Sequence, residues 1–191
     1  MSKLLFAATE NDHIQGDLAA ELSLIEYGDY QCPNCRMAYP IVKRLQKHYG
    51  KRLSFVFRNF PLSQMHPWAE SAAEVAEFAG AHGKYWEMHD LLFENQQNLG
   101  NALFLELTES LDLSPTDLQT ALAEQIYRVR VRADFKGGVR SGVNGTPTLF
   151  VNGQRHDGTY DFESLSDAID TQQNCMLPGS ESRPSVAIMP G

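Results

Sequence analysis

Cys32 and Cys35, separated only by Pro33 and Asn34, are the residues whose types and spacing invite chemistry. Two thiols this close can close a disulfide and reopen it, or supply half of a zinc site. Their surroundings bear on the choice. Leu22-Ser-Leu-Ile-Glu-Tyr27 alternates apolar and polar residues before turning aliphatic, which predicts a buried strand broken by Gly28-Asp29. From Arg36 to Tyr49 the apolar Met37, Ile41, Leu45 and Tyr49 recur at every fourth residue, one face of a helix that Gly50 stops. The pair therefore stands at a strand-to-helix junction. A thiol in the first turn of a helix faces unpaired N–H groups and the positive end of the macrodipole, and both favour the thiolate. Cys32 is thus expected to titrate below the value of about 8.5 of a free cysteine. Pro33 falls where its missing N–H costs little, and it stiffens the pair. Cys35, one turn on, faces inward. This makes Cys32 the nucleophile and Cys35 the thiol that resolves a mixed disulfide.

A zinc reading needs a second pair of ligands. Only Cys175 and six scattered histidines are on offer, none of the histidines paired at i, i+4 spacing. Metal analysis of the reduced protein separates the two readings. Cys175 reads as an unpartnered surface thiol.

The remaining elements frame the pair. Residues 12–16 suit a short edge strand, and Leu53-Ser-Phe-Val-Phe57 a second buried one. His66-Pro67 opens an Ala-rich helix with a narrow ridge of small residues. Helices follow over Lys84–Asn95 and Asn101–Leu111. Ser114-Pro-Thr-Asp117 starts a further helix, expected to run to about Phe135 and to loosen at Gly137-Gly138. Thr148-Leu-Phe-Val151 reads as a strand, Asn152-Gly153 as a hairpin turn, and residues 154–156 as its return. Asp161 caps a last helix carrying Phe162, Leu165 and Ile169 on one face. Without the middle helices a four-stranded mixed sheet covered by helices remains.

The stretches Glu26-Tyr-Gly-Asp-Tyr-Gln-Cys32-Pro-Asn-Cys35, Phe57-Arg-Asn-Phe-Pro-Leu62 and Gly145-Thr-Pro147-Thr-Leu-Phe-Val-Asn-Gly153 resemble, in order, those of DsbA-like thiol–disulfide oxidoreductases. The resemblance covers roughly residues 12–172. It implies an α/β fold: a thioredoxin-like mixed sheet flanked by helices, with an inserted all-helical domain. The implied division is residues 1–61 with 140–176 as the thioredoxin-like domain, 62–139 as the insertion, and 177–191 as a flexible tail. By the same resemblance Cys32 matches the nucleophile and Cys35 its buried partner. Thr146-Pro147 matches a cis-proline loop beside the disulfide, and Glu26 a buried acid that moves the proton of the buried thiol.

Each match has its own physical reading. A cis proline here would leave the backbone of Thr146 to pair with an extended substrate segment; taken alone, Gly-Thr-Pro is an ordinary turn into a strand. Glu26 in an apolar strand would be desolvated and held protonated, suited to proton transfer; the alternative is a strand-end acid at the surface. Asn34 departs from DsbA-type pairs with a central histidine. It offers a hydrogen bond and no charge, so the disulfide is expected to be less oxidising than theirs.

Composition narrows the functions. With 42% hydrophobic and 21% charged residues the chain can build a core. A net charge of −8 argues against nucleic acid as a partner, and no apolar run approaches the roughly 20 residues of a membrane span. The apolar Leu4–Ala8 is shorter than the core of about 7–15 residues in a secretory signal. That predicts a cytoplasmic protein, or a periplasmic one if a leader has been trimmed away. Arg128, Arg132, Lys136 and Arg140 read as a solvated basic ridge, His66 and His89 as helix-start and packing residues unless the helices cap the active-site groove and bring them to it, and Trp68, Tyr85, Trp86 and Phe93 as core, with one of them an alternative lining for a substrate groove. The expected activity is exchange of a Cys32–Cys35 disulfide or dithiol with a protein or small-thiol substrate. It needs a redox recycling partner the sequence does not name, and no cofactor, because the two sulfurs carry the electrons. The rival readings are a glutathione-dependent isomerase or transferase of the related thioredoxin-like class, and a redox-switched binding protein or holdase. An intact Cys32 and Cys35 favours redox work.

Overall fold

In a computed structural model, which describes residues 3–176, β1 (His13–Gln15), β2 (Leu22–Gly28), β3 (Leu53–Asn59), β4 (Thr148–Val151) and β5 (Gln154–Arg155) form one sheet in the order β1-β3-β2-β4-β5. The expected four-stranded sheet has five strands, because β1 finds a partner: His13, Ile14 and Gln15 pair antiparallel with Phe57, Val56 and Phe55. β2 and β3 are parallel in register from Leu22↔Leu53 to Gly28↔Asn59. Joining them in parallel takes a crossover helix, α1 (Pro33–Tyr49), which opens on Pro33 in its first turn, as expected, and continues through Pro40. β4 runs antiparallel to β2, with Glu26 opposite Leu149, and turns back into β5 at Asn152-Gly153. In both, φ is positive, as a tight hairpin requires. The sheet is mixed, as its connections demand.

The period-two alternation of β2 sorts its side chains. Leu22 and Leu24 join Leu45, Val42, Leu165 and Ile169 in the larger core under α1 and α7 (Phe162–Met176). Ile25 and Tyr27 join Val56, Phe60 and Phe150 on the opposite face. Glu26 shares the parity of Leu22 and Leu24, so the strand delivers its carboxyl to the side where α1 begins.

Between β3 and β4 lie α2 (Ala69–Ala81), α3 (Tyr85–Glu94), α4 (Asn101–Ser110), α5 (Pro115–Ala123) and α6 (Arg128–Arg140). The ridge of small residues on α2 is buried, Ala72, Ala76 and Ala79 completely, which allows α3 and α6 to pack close. The single long helix expected after Ser114 is two. α5 is capped by the Ser114 hydroxyl, which accepts the Asp117 N–H at 3.2 Å, and a turn at 124–127 with Gln125 at φ 56° separates it from α6. Gly137-Gly138 does not loosen α6. The helix passes through both, and Gly138 is where it presses on the sheet: a Cβ there would stand 2.8 Å from Phe60 and 2.9 Å from Tyr27. The basic ridge is not wholly solvated, because Arg128 forms a two-pronged ion pair with Glu70 on α2 at 2.7 and 3.1 Å. α7 begins as expected at Asp161, whose carboxylate accepts the Ser164 N–H at 2.9 Å. The side chain of Cys175 and the segment 177–191, expected to be a flexible tail, lie outside the described residues.

Candidate active site

Cys32 is the N-cap of α1, its backbone extended at φ −71°, ψ 122°, and the helix opens on Pro33. This position turns the Sγ toward the first unpaired N–H groups, because a residue at the cap lies over the second and third helical amides. Neither thiol is in a disulfide; Cys32 is 5% exposed and Cys35 fully buried. The Cys32 thiol is brought down to about 5. The first cause is a hydrogen bond from Cys35; the Thr146 side chain and the N–H groups of Cys35 and Asn34 add to it, against the cost of burial. No cation contributes, consistent with an uncharged Asn34. The helix start thus matters through its N–H groups, but the partner thiol matters more. Cys35 moves the other way, its thiol pushed up by burial first and by its bond to Cys32 next. The Asp29 N–H donates to its Sγ at 3.4 Å.

Glu26 is 2% exposed, which rules out the surface alternative. Burial, then the charge of Cys32, pushes its carboxyl up to about 8. Among the described residues its Oε1 has no hydrogen-bond partner. The Thr146–Pro147 peptide is cis, and the Thr146 carbonyl accepts from the Cys32 Sγ at 3.3 Å. Cys32, Cys35, Glu26 and Thr146-Pro147 therefore converge on one junction of β2, α1 and the turn before β4. Pro33 and Asn34 are exposed beside it.

Several residues at this junction escape a reading of the sequence. Asp29, completely sequestered, uses one carboxylate oxygen to accept the Gln31 N–H at 2.8 Å and the other to accept the Leu62 N–H at 2.9 Å and to meet His66 Nδ1 at 2.7 Å. Gly28-Asp29 carried half of this signal, because an aspartate bonding two residues ahead is a turn former. His66 is thereby more than a helix-start residue, tying the segment before α2 to the cysteine loop. His89 is buried with Nδ1 3.0 Å from the Tyr30 hydroxyl. Gln96 had no local signal at all. From the helical turn after α3 its Nε2 donates to the carbonyls of Tyr30 at 2.8 Å and Cys32 at 2.9 Å. Removing it leaves the buried Tyr30 carbonyl unpaired, at about 1–3 kcal/mol, and leaves the Cys32 carbonyl with the Arg36 N–H at 3.1 Å. Gln96→Ala is therefore expected to lower the urea midpoint clearly while leaving Cys32 alkylatable, as equilibrium unfolding and iodoacetamide labelling will show.

A cluster of three or more His, Cys, Asp or Glu that could hold a metal is absent among the described residues.

Comparison with known proteins fits this geometry. A family model described as Thioredoxin matches residues 8–171. Oxidised BdbD from Bacillus subtilis superposes with a TM-score of 0.81 at 22% identity, over 91% of this chain and 97% of that one. Wolbachia pipientis alpha-DsbA1 gives 0.78 at 17% identity, over 92% and 97%, and Pseudomonas aeruginosa DsbA2 0.71 at 23%, over 89% and 99%. At these identities the likeness is one of fold. Part of a Na+/H+ antiporter NhaA 1 of Salinispora arenicola is 43% identical over 160 residues, 84% of this chain and 24% of that protein. For an NhaA of Nitrosospira multiformis the figures are 36%, 83% and 25%. The chain thus spans about a quarter of the length of these curated relatives. No helix among the described residues is long and apolar enough to cross a membrane.

Proposed function

Since the chain belongs to the thioredoxin family and folds as DsbA-type proteins do, we propose that it is a thiol–disulfide oxidoreductase working through Cys32 and Cys35 on protein or small-thiol substrates. The observation that carries this reading is the placement of two adjacent sulfurs: Cys32 at a helix N-cap against the cis Thr146–Pro147 turn, its thiol lowered to about 5, and Cys35 sealed in the interior with its thiol raised. A thiolate at neutral pH attacks a disulfide; a buried thiol waits until its neighbour is bonded.

The Cys32 thiolate attacks one sulfur of a substrate disulfide, forming a Cys32–substrate bond and releasing the other sulfur as thiolate. Cys35 then gives its proton to the Glu26 carboxylate and attacks Cys32 Sγ. The Cys32–Cys35 bond forms, the mixed bond breaks, and the electron pair leaves on the second substrate sulfur. Read backward, the same steps oxidise a substrate dithiol. An extended substrate segment lies along the backbone of Thr146, just ahead of β4. A recycling partner of suitable potential restores the starting state. Transport, named for the longer relatives, is no part of this reading, because the match covers a quarter of them.

A Cys35→Ala variant tests it. Mixed with a disulfide substrate, it is expected to accumulate a covalent adduct on Cys32, seen by intact mass and released by dithiothreitol; absence of any adduct overturns the reading. With Asn34 in place of a cation, the potential of the native pair should lie between the values of about −270 mV of thioredoxin and about −120 mV of DsbA. Equilibration against glutathione checks it.

A further inference from the structure

The stretch Phe57-Arg-Asn-Phe-Pro-Leu62 has no part in the exchange steps, yet it grips one peptide unit beside them, Gly28–Asp29. The Phe60 N–H donates to the Gly28 carbonyl at 2.7 Å. The Leu62 N–H donates to Asp29 Oδ2 at 2.9 Å, and His66, four residues on, meets the same oxygen with Nδ1 at 2.7 Å. Gly28 allows the approach, because a Cβ there would stand 2.3 Å from the Phe57 ring. The other side of this unit faces the reacting pair. The Asp29 N–H donates to Cys35 Sγ at 3.4 Å, and the Asp29 carbonyl accepts the Cys32 N–H at 3.0 Å. A peptide is one rigid plane with its C=O and N–H pointing opposite ways. A grip on the Gly28 carbonyl is therefore a grip on the N–H that reaches Cys35.

We propose that Asp29 and His66, together with the Phe60 and Leu62 amides, brace the Gly28–Asp29 peptide so that its N–H faces the Cys35 sulfur as that sulfur becomes an anion, and that both side chains are positioning residues of the resolving step. The brace rests on the resolving role given to Cys35. In that step the Cys35 thiol passes its proton to the Glu26 carboxylate and its sulfur attacks Cys32 Sγ. The bond from Cys32 to the substrate breaks, and the substrate sulfur leaves with the electron pair. For that interval a negative charge sits on a sulfur in the interior. Burial opposes it first, then the bond to Cys32 and the charges of Glu26 and Cys32, whereas the Asp29 N–H favours it. A donor already aimed at a charge that develops needs no rearrangement when the charge appears.

The side chains decide whether the donor stays aimed. That of Asp29 is sealed, and that of His66 is 15% exposed. One Asp29 oxygen accepts the Gln31 N–H at 2.8 Å, and the other takes the Leu62 N–H and the His66 ring. A carboxylate only accepts, so Nδ1 is the ring nitrogen that carries the hydrogen. An asparagine at position 29 has a single acceptor oxygen and would turn its own N–H toward a donor. At position 66 an asparagine keeps a donor, because its amide nitrogen, like Nδ1, is one bond beyond Cγ. A leucine there fills the space and donates nothing.

The resolving step is read directly. Reduced protein is mixed with excess oxidised glutathione and quenched in acid at intervals, and the Cys32–glutathione adduct is counted by mass from pH 6 to pH 9. Asp29→Asn is expected to slow resolution of the adduct roughly fivefold and His66→Leu roughly threefold, while His66→Asn resolves at the parental rate. These effects are smaller than the loss of about 10²–10³-fold when an oxyanion donor is removed outright. A sulfur at 3.4 Å is a weaker acceptor, and a less stabilised thiolate is the better nucleophile. The slowing should hold by a similar factor across the pH range, since the N–H acts on the anion whichever base takes the proton; the slowing in Glu26→Gln, by contrast, should ease as pH rises. Formation of the adduct and the equilibrium constant with glutathione should not move, because neither passes through a charged Cys35. A parental resolving rate in both Asp29→Asn and His66→Leu overturns the proposal. So does an equal slowing in His66→Leu and His66→Asn, or a slowing matched by an equal shift in the equilibrium constant. Where urea titration shows Asp29→Asn unfolded, the two His66 variants decide by themselves. If no adduct forms on Cys32 even in Cys35→Ala, the oxidoreductase reading fails and takes the brace with it; if the adduct forms and every variant resolves it at the parental rate, the brace alone falls.

Discussion

Cys32→Ser is expected to lose exchange with a model disulfide by about three orders of magnitude or more, because it removes the nucleophile outright. Cys35 cannot stand in for it, being fully buried with its thiol raised. The loss should not come from unfolding. Position 32 is an N-cap, and serine is among the residues best suited to that place. What should change is how the stability of the reduced protein depends on pH. Cys32 stands at about 5 in the fold against an ordinary 9.0. Between those values the unfolded chain binds a proton that the fold does not, so stability climbs with pH, complete above 9 and lost as pH falls through 5. Glu26, at about 8 against an ordinary 4.5, tilts the curve the opposite way. The two slopes offset each other over pH 5–8 in the parent. In Cys32→Ser only the Glu26 slope remains, and its window ends below pH 8 because the Cys32 charge that helps raise the acid is gone, so stability should decline with pH above 5 by at most about 1.4 kcal/mol per pH unit. Urea titrations at several pH values, set beside the exchange assay, measure both effects. An active Cys32→Ser protein would remove the basis for the chemistry.

The placement of the cysteine pair was legible where it rests on local order. A strand whose alternation ends in Gly28-Asp29, two cysteines, and a helix with apolar residues four apart place a sulfur at a helix mouth whatever else the chain does. The parity of Glu26 follows from the same strand. Cys32 and Thr146, 114 residues apart in the chain, could be joined only through the resemblance, since nothing local draws them together. Three errors have physical causes. A favourable start at Ser114 says nothing about length, and the left-handed turn at Gln125 ended α5 early. Gly137-Gly138 looked like a weak end to a helix, whereas the missing side chain at Gly138 is what lets α6 lie against Phe60 and Tyr27. Residues 12–16 read as an edge strand, as β1 is, but three residues carry too little pattern to show that they join the sheet as a fifth strand, a place that depends on the exposed edge of β3. Gln96 marks the deeper limit. A glutamine in a short turn has no signature, and its role depends on two carbonyls more than 60 residues away.

Glu26→Gln carries the second large effect. Glutamine keeps the size and the hydrogen-bonding ends of the side chain but cannot accept the Cys35 proton as a carboxylate does. The resolving step should slow by about 10²-fold around pH 8, where the parent carries the carboxylate, the lower end of what general base catalysis supplies. The attack of Cys32 should be little affected, so the mixed disulfide accumulates, and a rise in pH should recover part of the rate as the buried thiol ionises without help. Stability answers in the opposite sense to Cys32→Ser. In the parent, the fold keeps a proton on Glu26 from about pH 4.5 to about pH 8 where the unfolded chain has shed it, so stability falls with pH across that window and levels off above it. Removing the acid removes the fall, leaving the Cys32 slope alone. The reduced variant should therefore grow more stable from pH 5 toward pH 9 and exceed the parent most clearly at pH 8, where the parent bears a charge in an apolar strand. A parental resolving rate together with a parental pH curve would mean that Glu26 neither takes the proton nor titrates where its burial puts it.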